Sequence, residues 1–180
     1  MRTLPAVVAV VISSLTLLLL GDSSVLANGG KSKRIRYEAV VRTAPNKTCR
    51  FEAELEPLLF RLATVRGKYR VVRITIRNAG DTRLALSLAG DQMEVDLPGG
   101  SGPAILDLGA SDPALWDGFS PELRAMIAYP RGVEPGEEES VFVFIPVRDS
   151  AAAPRALRYR IASLPGGPVI LRDMTPVPKK

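Results

Sequence analysis

The chain contains no histidine, one cysteine, one tryptophan, four tyrosines and five phenylalanines among its 180 residues. Without histidine it lacks the usual general base near neutral pH, the commonest metal ligand and any Ser-His-Asp triad. Cys49 alone closes no internal disulfide and builds no four-ligand zinc site. A lone cysteine usually behaves as a small buried filler, so Cys49 is expected in the core, with pairing to another chain or a free reactive thiol as the alternatives. After Leu26, charges interrupt every apolar run, and nothing there reaches the roughly 20 apolar residues of a spanning helix. Aromatic side chains are too few, and too poorly interleaved with bases, to form a base-stacking platform, so nucleic acid is not an expected partner. No internal repeat is visible.

What is present begins at the N-terminus. Arg2 leads into the apolar runs Ala6–Ile12 and Leu15–Leu20, and the small side chains Val25 and Ala27 follow three and one residues before a cut after Ala27. This is the layout of a secretory signal peptide over residues 1–27; a retained anchor is the alternative. Cleavage leaves 153 residues, the size of one domain, with no further spanning segment. The expected compartment is therefore periplasmic or secreted. Residues 28–34, Asn-Gly-Gly-Lys-Ser-Lys-Arg, read as a flexible lead-in, 35–175 as a single β-domain and 176–180 as a fraying tail. Asn46-Lys47-Thr48 is an N-glycosylation triplet if the source is eukaryotic.

The mature chain is dominated by period-two alternation, the mark of half-buried strands. Ile35, Tyr37, Ala39 and Val41 alternate with polar residues before Pro45-Asn46, and Phe51–Leu55 repeats the pattern with its glutamates facing out. Leu58–Val65 is apolar with ambiguous period. Tyr69–Arg77 is the clearest strand: Val72, Ile74 and Ile76 alternate with Arg73, Thr75 and Arg77. Asn78-Ala79-Gly80-Asp81 reads as the turn of a hairpin whose second arm carries Leu84, Leu86 and Leu88. Gly90-Asp91 is a turn, Met93–Leu97 a strand and the Pro98–Pro103 run an irregular loop. Glu134–Glu137 fits a type II turn, and Val141–Ile145 is apolar on both faces, suggesting a central strand that ends at Pro146. Ala156–Ser163 and Val169–Leu171 complete the set around the Pro165-Gly166-Gly167 turn. One helix is expected, with Ser120 as N-cap and Pro121 at its first position.

Short alternating strands with turns between them predict an all-β fold, an antiparallel β-sandwich of immunoglobulin-like type, with a small barrel as alternative. The cysteine-tryptophan-cysteine core of antibody domains is absent, and Trp116 falls in an expected loop. The stretch Val71–Asp81, the turn Val133-Glu134-Pro135-Gly136-Glu137 and the strand Val141–Pro146 together resemble exported bacterial immunoglobulin-like domains of largely unknown function. That resemblance implies a fold and an envelope or extracellular setting; it carries over no catalytic residue.

Net charge is +5, but it is segmented. Residues 31–73 hold twelve Lys or Arg against four Glu; residues 74–149 hold five Arg against thirteen acids; residues 150–180 hold six bases against Asp173. If the two basic segments met in space, they would make a positive face for an anionic polymer or an acidic protein; the plainer reading is solvated arginines facing acids on neighbouring strands. The acids Asp107, Asp112, Asp117 and Glu122 recur every five residues, a spacing unlike the helix-loop-helix calcium pattern and suited to caps and turns. Glu137-Glu138-Glu139 reads as a solubilising run beside an apolar strand. No catalytic, cofactor or metal residue is assigned. The expectation is an exported, non-enzymatic module binding a protein or an anionic envelope polymer. The alternatives are a hydrolase using Asp and Glu alone, such as a glycosidase, and a structural part of an envelope complex.

Overall fold

Alternating apolar residues need a partner surface on one side only, and here an antiparallel sheet provides that surface by curling round on itself. The computed structural model describes residues 36–44, 47–55, 59, 62–147 and 153–173. All belong to the unit Lys33–Lys180. The expected leader at 1–27, lead-in at 28–34, Pro45-Asn46 break and tail at 176–180 lie outside the described residues.

Ten strands are present among the described residues: β1 (Arg36–Ala44), β2 (Lys47–Leu55), β3 (Tyr69–Asn78), β4 (Leu84–Ala85), β5 (Gln92–Leu97), β6 (Gly100–Ala104), β7 (Gly132–Val133), β8 (Glu138–Pro146), β9 (Ala156–Arg160) and β10 (Val169–Asp173). Eight of them form one antiparallel sheet in the order β6-β5-β9-β10-β1-β2-β3-β8, and β4 pairs with β7 in a second, two-stranded sheet. Strand accounts for 46% and helix for 18%, and the sheet is not a closed barrel. Its inner face builds the main core, with Phe51, Ile74, Val143, Leu157, Tyr159 and Leu171 all buried. Each such side chain contributes roughly 1.5–3 kcal/mol by leaving water.

A second apolar cluster lies on the other side of β3 and β8. Tyr69, Val71, Phe142 and Phe144 there pack against Leu59, Val65, Leu108, Leu115, Phe119 and Ile127. Those residues are carried by four short helices and their flanks: α1 (Ala63–Arg66), α2 (Leu108–Ser111), α3 (Pro113–Asp117) and α4 (Pro121–Ile127). The helical cover explains the two-sided apolar pattern of Val141–Ile145. That pattern suggested a central strand, yet β8 stands last in the order, buried on both faces because helices take the place of a further sheet.

Other expectations are also corrected. Among the described residues four helices replace the single one, although Ser120 does cap α4 by accepting from the Leu123 N–H at 3.2 Å. Trp116 lies in α3, half-buried against the second cluster, not in a loop. The Tyr69–Arg77 strand does not form a hairpin with Leu84–Leu88: its neighbours are β2 and β8, and β4 pairs with β7. Leu84 and Leu86 are buried as alternation requires, but they cover the core from a separate layer, and Leu88 is exposed. The Pro98–Pro103 run is not wholly irregular, because Gly100–Ala104 pairs with β5 from Leu97↔Gly100 to Met93↔Ala104. Its backbone is held by a ladder that its glycine-rich side chains do not announce.

The two ends of the sheet meet at one point. Ile105 donates to the Phe144 carbonyl and Phe144 donates to the Ile105 carbonyl, each at 2.9 Å, making a single mutual bridge. In an antiparallel ladder the next mutual pair lies two residues along on each strand, which is Pro103 opposite Pro146. Neither proline has an N–H to give. The ladder therefore stops after one rung, and beyond it Val147 donates to the Lys68 carbonyl, keeping the chain with the β3 side. On the other side of the bridge the chain turns into α2, whose N-cap is Asp107. Closure fails for want of donors.

Candidate functional site

The strand order settles the question raised by the segmented charge. Strands β9 and β10, from the C-terminal basic segment, pair next to β1, β2 and β3, from the first one. Since Leu157, Tyr159 and Leu171 point inward, Arg158, Arg160, Ile170 and Arg172 point outward, as do Val40, Arg50, Arg73 and Arg77 on the neighbouring strands.

Acids neutralise part of this outer face, as the plainer reading anticipated. Arg158 forms a forked pair with Asp96, Nη2 to Oδ2 at 2.8 Å and Nε to both carboxylate oxygens at 3.2 and 3.3 Å. The hydrogen bonds from Arg158 and then from Ser101 hold the Asp96 carboxyl below the usual aspartate range, and Asp96 in turn raises Arg158. Arg73 pairs with Glu54, and Arg50 approaches Glu52 at 3.8 Å. Arg77, Arg160 and Arg172 form no ion pair among the described residues. Between the arginines stand two apolar side chains in water: two residues beyond the Glu38↔Arg172 pair on each strand, Val40 is 58% and Ile170 38% exposed.

Arg160 also borders a polar hollow of about 350 Å³, with Gln92 directly opposite it across the β5–β9 ladder and Gly90, Ala162 and Gly167 around it. Its walls are pinned from beneath by Asp91. This carboxylate is 6% exposed and accepts from the Ser87 N–H at 2.8 Å, the Ala162 N–H at 2.8 Å and the Tyr129 hydroxyl at 2.5 Å. Tyr129 in turn contacts the Tyr159 hydroxyl at 2.5 Å. Burial, then the neighbouring phenol and carboxylate, push Tyr129 far up, and burial likewise raises Tyr159, so both stay protonated as donors. Asp91 thus joins the 87–91 turn to the 161–164 turn. Gly90 allows the join, because a Cβ there would lie 2.7 Å from the Ala162 Cβ. Read as a turn residue from sequence, Asp91 gave no sign of burial; the only hint was its place between apolar runs.

The acids proposed for a hydrolytic reading are taken up at helix ends. Asp107 caps α2 by accepting from the Ala110 N–H at 3.1 Å, and Asp112 caps α3 by accepting from the Leu115 N–H at 3.1 Å. Asp112 also accepts from Lys68 Nζ at 2.9 Å and the Tyr69 hydroxyl at 3.3 Å; the lysine bond and the backbone N–H hold its carboxyl low. Glu122 sits in the first turn of α4 and Asp117 lies 4.0 Å from Arg124. Among the described residues, no three of His, Cys, Asp and Glu are grouped as a metal site.

Cys49 is buried and in no disulfide among the described residues, its thiol raised by burial and 3.6 Å from Asn78 Oδ1. Asn78 itself ties four segments together: its amide donates to the Thr82 and Val133 carbonyls, accepts from the Gly80 N–H, and its backbone bonds to Gly136 and Glu137. Gly136, at φ 81°, takes the left-handed position of the expected 134–137 turn, which closes from the Glu137 N–H to the Glu134 carbonyl at 3.1 Å. Both features are architectural. No helix among the described residues is long and apolar enough to cross a membrane. No family model, curated protein or solved structure matches this chain.

Proposed function

We propose that this chain is an exported, non-enzymatic binding module that takes an anionic partner, an acidic protein or a carboxylate- or phosphate-bearing polymer, on the outer face of β9-β10-β1-β2. The observation that carries the reading is the adjacency of the two basic segments in the sheet, separated in the chain by residues 74–149 yet joined at Tyr37↔Asp173 and Glu38↔Arg172. Arginine around exposed apolar side chains is a composition that interfaces favour. The hollow at Arg160 and Gln92 offers a planar charged donor beside an amide, the arrangement that a carboxylate or phosphate oxygen accepts. The leader at 1–27 supports export, to the periplasm or the exterior. The immunoglobulin-like reading belongs to the same proposal: antiparallel strands face one another across one apolar core. The β10–β1 ladder departs from it, joining what a sandwich keeps as two sheets.

The test is retention of the chain from Asn28 to Lys180 on immobilised poly-glutamate. The expected result is binding at low salt, released as ionic strength rises, and elution at markedly lower salt for Arg160→Glu with Arg172→Glu. Arg66→Glu with Arg131→Glu changes net charge equally from exposed positions outside this face. Equal elution of the two double variants, or no retention of the parent chain, would overturn the proposal.

A further inference from the structure

The broken rung between Pro103 and Pro146 leaves a groove of about 440 Å³, within the size range of ligand sites of roughly 300–1,000 Å³. It is separate from the basic face. Its lining includes Val95, Leu97, Gly102, Pro103, Ile105 and Pro146, with no charged residue among the described residues that line it. Because Ile105 turns its N–H and C=O toward β8, strand alternation turns Ser101 N–H, Ser101 C=O and Pro103 C=O the same way, into the groove. Gly102, on the opposite parity, faces inward beside Val95, and a Cβ placed on it meets nothing within 4 Å. Among the described residues the groove therefore combines a length of unpaired strand edge with apolar space behind it. Its β6 wall is held firm by Asp96, which accepts from Ser101 Oγ at 2.5 Å while gripped by Arg158.

We infer that this seam is a docking slot for an extended, uncharged segment of a partner protein, which pairs with the β6 edge at Ser101 and Pro103 and inserts one apolar side chain beside Gly102. A peptide suits the slot better than a small apolar molecule because it supplies an N–H for Pro103 C=O and both a donor and an acceptor for Ser101, as an added strand does. Charged segments are disfavoured, since no lining group would compensate their lost hydration. The two prolines keep the slot open: any other residue pair at 103 and 146 would offer the donors to zip β6 onto β8. Edge prolines commonly serve to prevent such pairing.

The experiment is selection of a displayed random heptapeptide library against the chain from Asn28 to Lys180 at about 1 M salt, which screens the basic face, followed by binding of the enriched synthetic peptides to two variants. The zipped variant carries Pro103→Val and Pro146→Val; the filled variant carries Gly102→Phe, and circular dichroism verifies that each is folded. Enriched sequences should be uncharged with alternating apolar positions, bind each variant at least about tenfold more weakly than the parent, and slow exchange of the Ser101 amide in the parent. Should the zipped variant not fold, the filled variant and the amide exchange decide. Enrichment of acidic peptides, equal affinity for the folded variants, or an unchanged Ser101 amide would overturn the inference.

Discussion

Strand β8 has two edges and they behave in opposite ways. Along one, it pairs with β3 at every position from Glu138↔Arg77 to Pro146↔Tyr69; along the other, it meets Ile105 once and stops. Apolar content does not separate the two, for the seam is lined by Ile105, Ile145, Val95 and Leu97. Donor supply does. On the β3 side the odd-numbered residues Val141, Val143 and Ile145 all have an N–H, whereas the second rung of the seam would need one from Pro103 or Pro146. A sheet can have a closed core and still an open ladder, since hydrophobic burial is non-directional and hydrogen bonding is not.

The contrast can be broken most severely by moving the defect. Val143→Pro puts on the intact edge what Pro146 puts on the seam, and it should destabilise the chain by about 3 kcal/mol or more, read from denaturant unfolding. A loss below about 1 kcal/mol would mean that β3 and β8 are held by packing alone. In the other direction, Pro103→Val with Pro146→Val should raise stability by about 1–2 kcal/mol, the net worth of two ladder hydrogen bonds, with the amide gained at position 103 protected from exchange. The smallest effect concerns the β6 wall. The folded-state value of Asp96 lies below its unfolded one, so its contribution is present above the ordinary aspartate value of 3.8 and is lost as pH falls through the lower, folded value. Asp96→Asn should therefore flatten the acid limb of a stability-against-pH curve below about pH 4 while leaving its slope near neutrality unchanged. An unchanged acid limb would show that the Asp96 clamp is not formed in solution.

Much of this fold was legible because side-chain alternation is a local property. Tyr69–Arg77 and Met93–Leu97 sit where period two puts them, as does the Ser120-Pro121 helix start, while Ala156–Ser163 is strand only as far as Arg160, the chain then turning over 161–164. Strand β6 was illegible for the opposite reason: its pairing is written in backbone groups, and Gly-Ser-Gly-Pro-Ala carries no apolar rhythm. Helix α3 was legible in principle, since Asp112-Pro113 repeats the cap-then-proline order of Ser120-Pro121, but a stretch of five residues shows no helical period. For the candidate surface, the two basic segments were countable from sequence, whereas their adjacency depends on a strand order that no local signal encodes. Asp91 looked like any turn residue because its partners, Tyr129 and Ala162, lie 38 and 71 positions away.

One consequence of the strand order concerns the sequence of events in folding. Among the described residues β9 and β10 occupy the middle of the sheet although they are its last strands in sequence, and they alone bridge the β6-β5 pair to the β1-β2-β3-β8 quartet by a ladder. A nascent polypeptide released only as far as residue 155 would hold two fragments latched at Ile105 and Phe144, with Tyr159 and Leu171 missing from the core. Residues 156–173 thus act as a keystone, and the sheet is joined by a ladder only once β9 and β10 are in place.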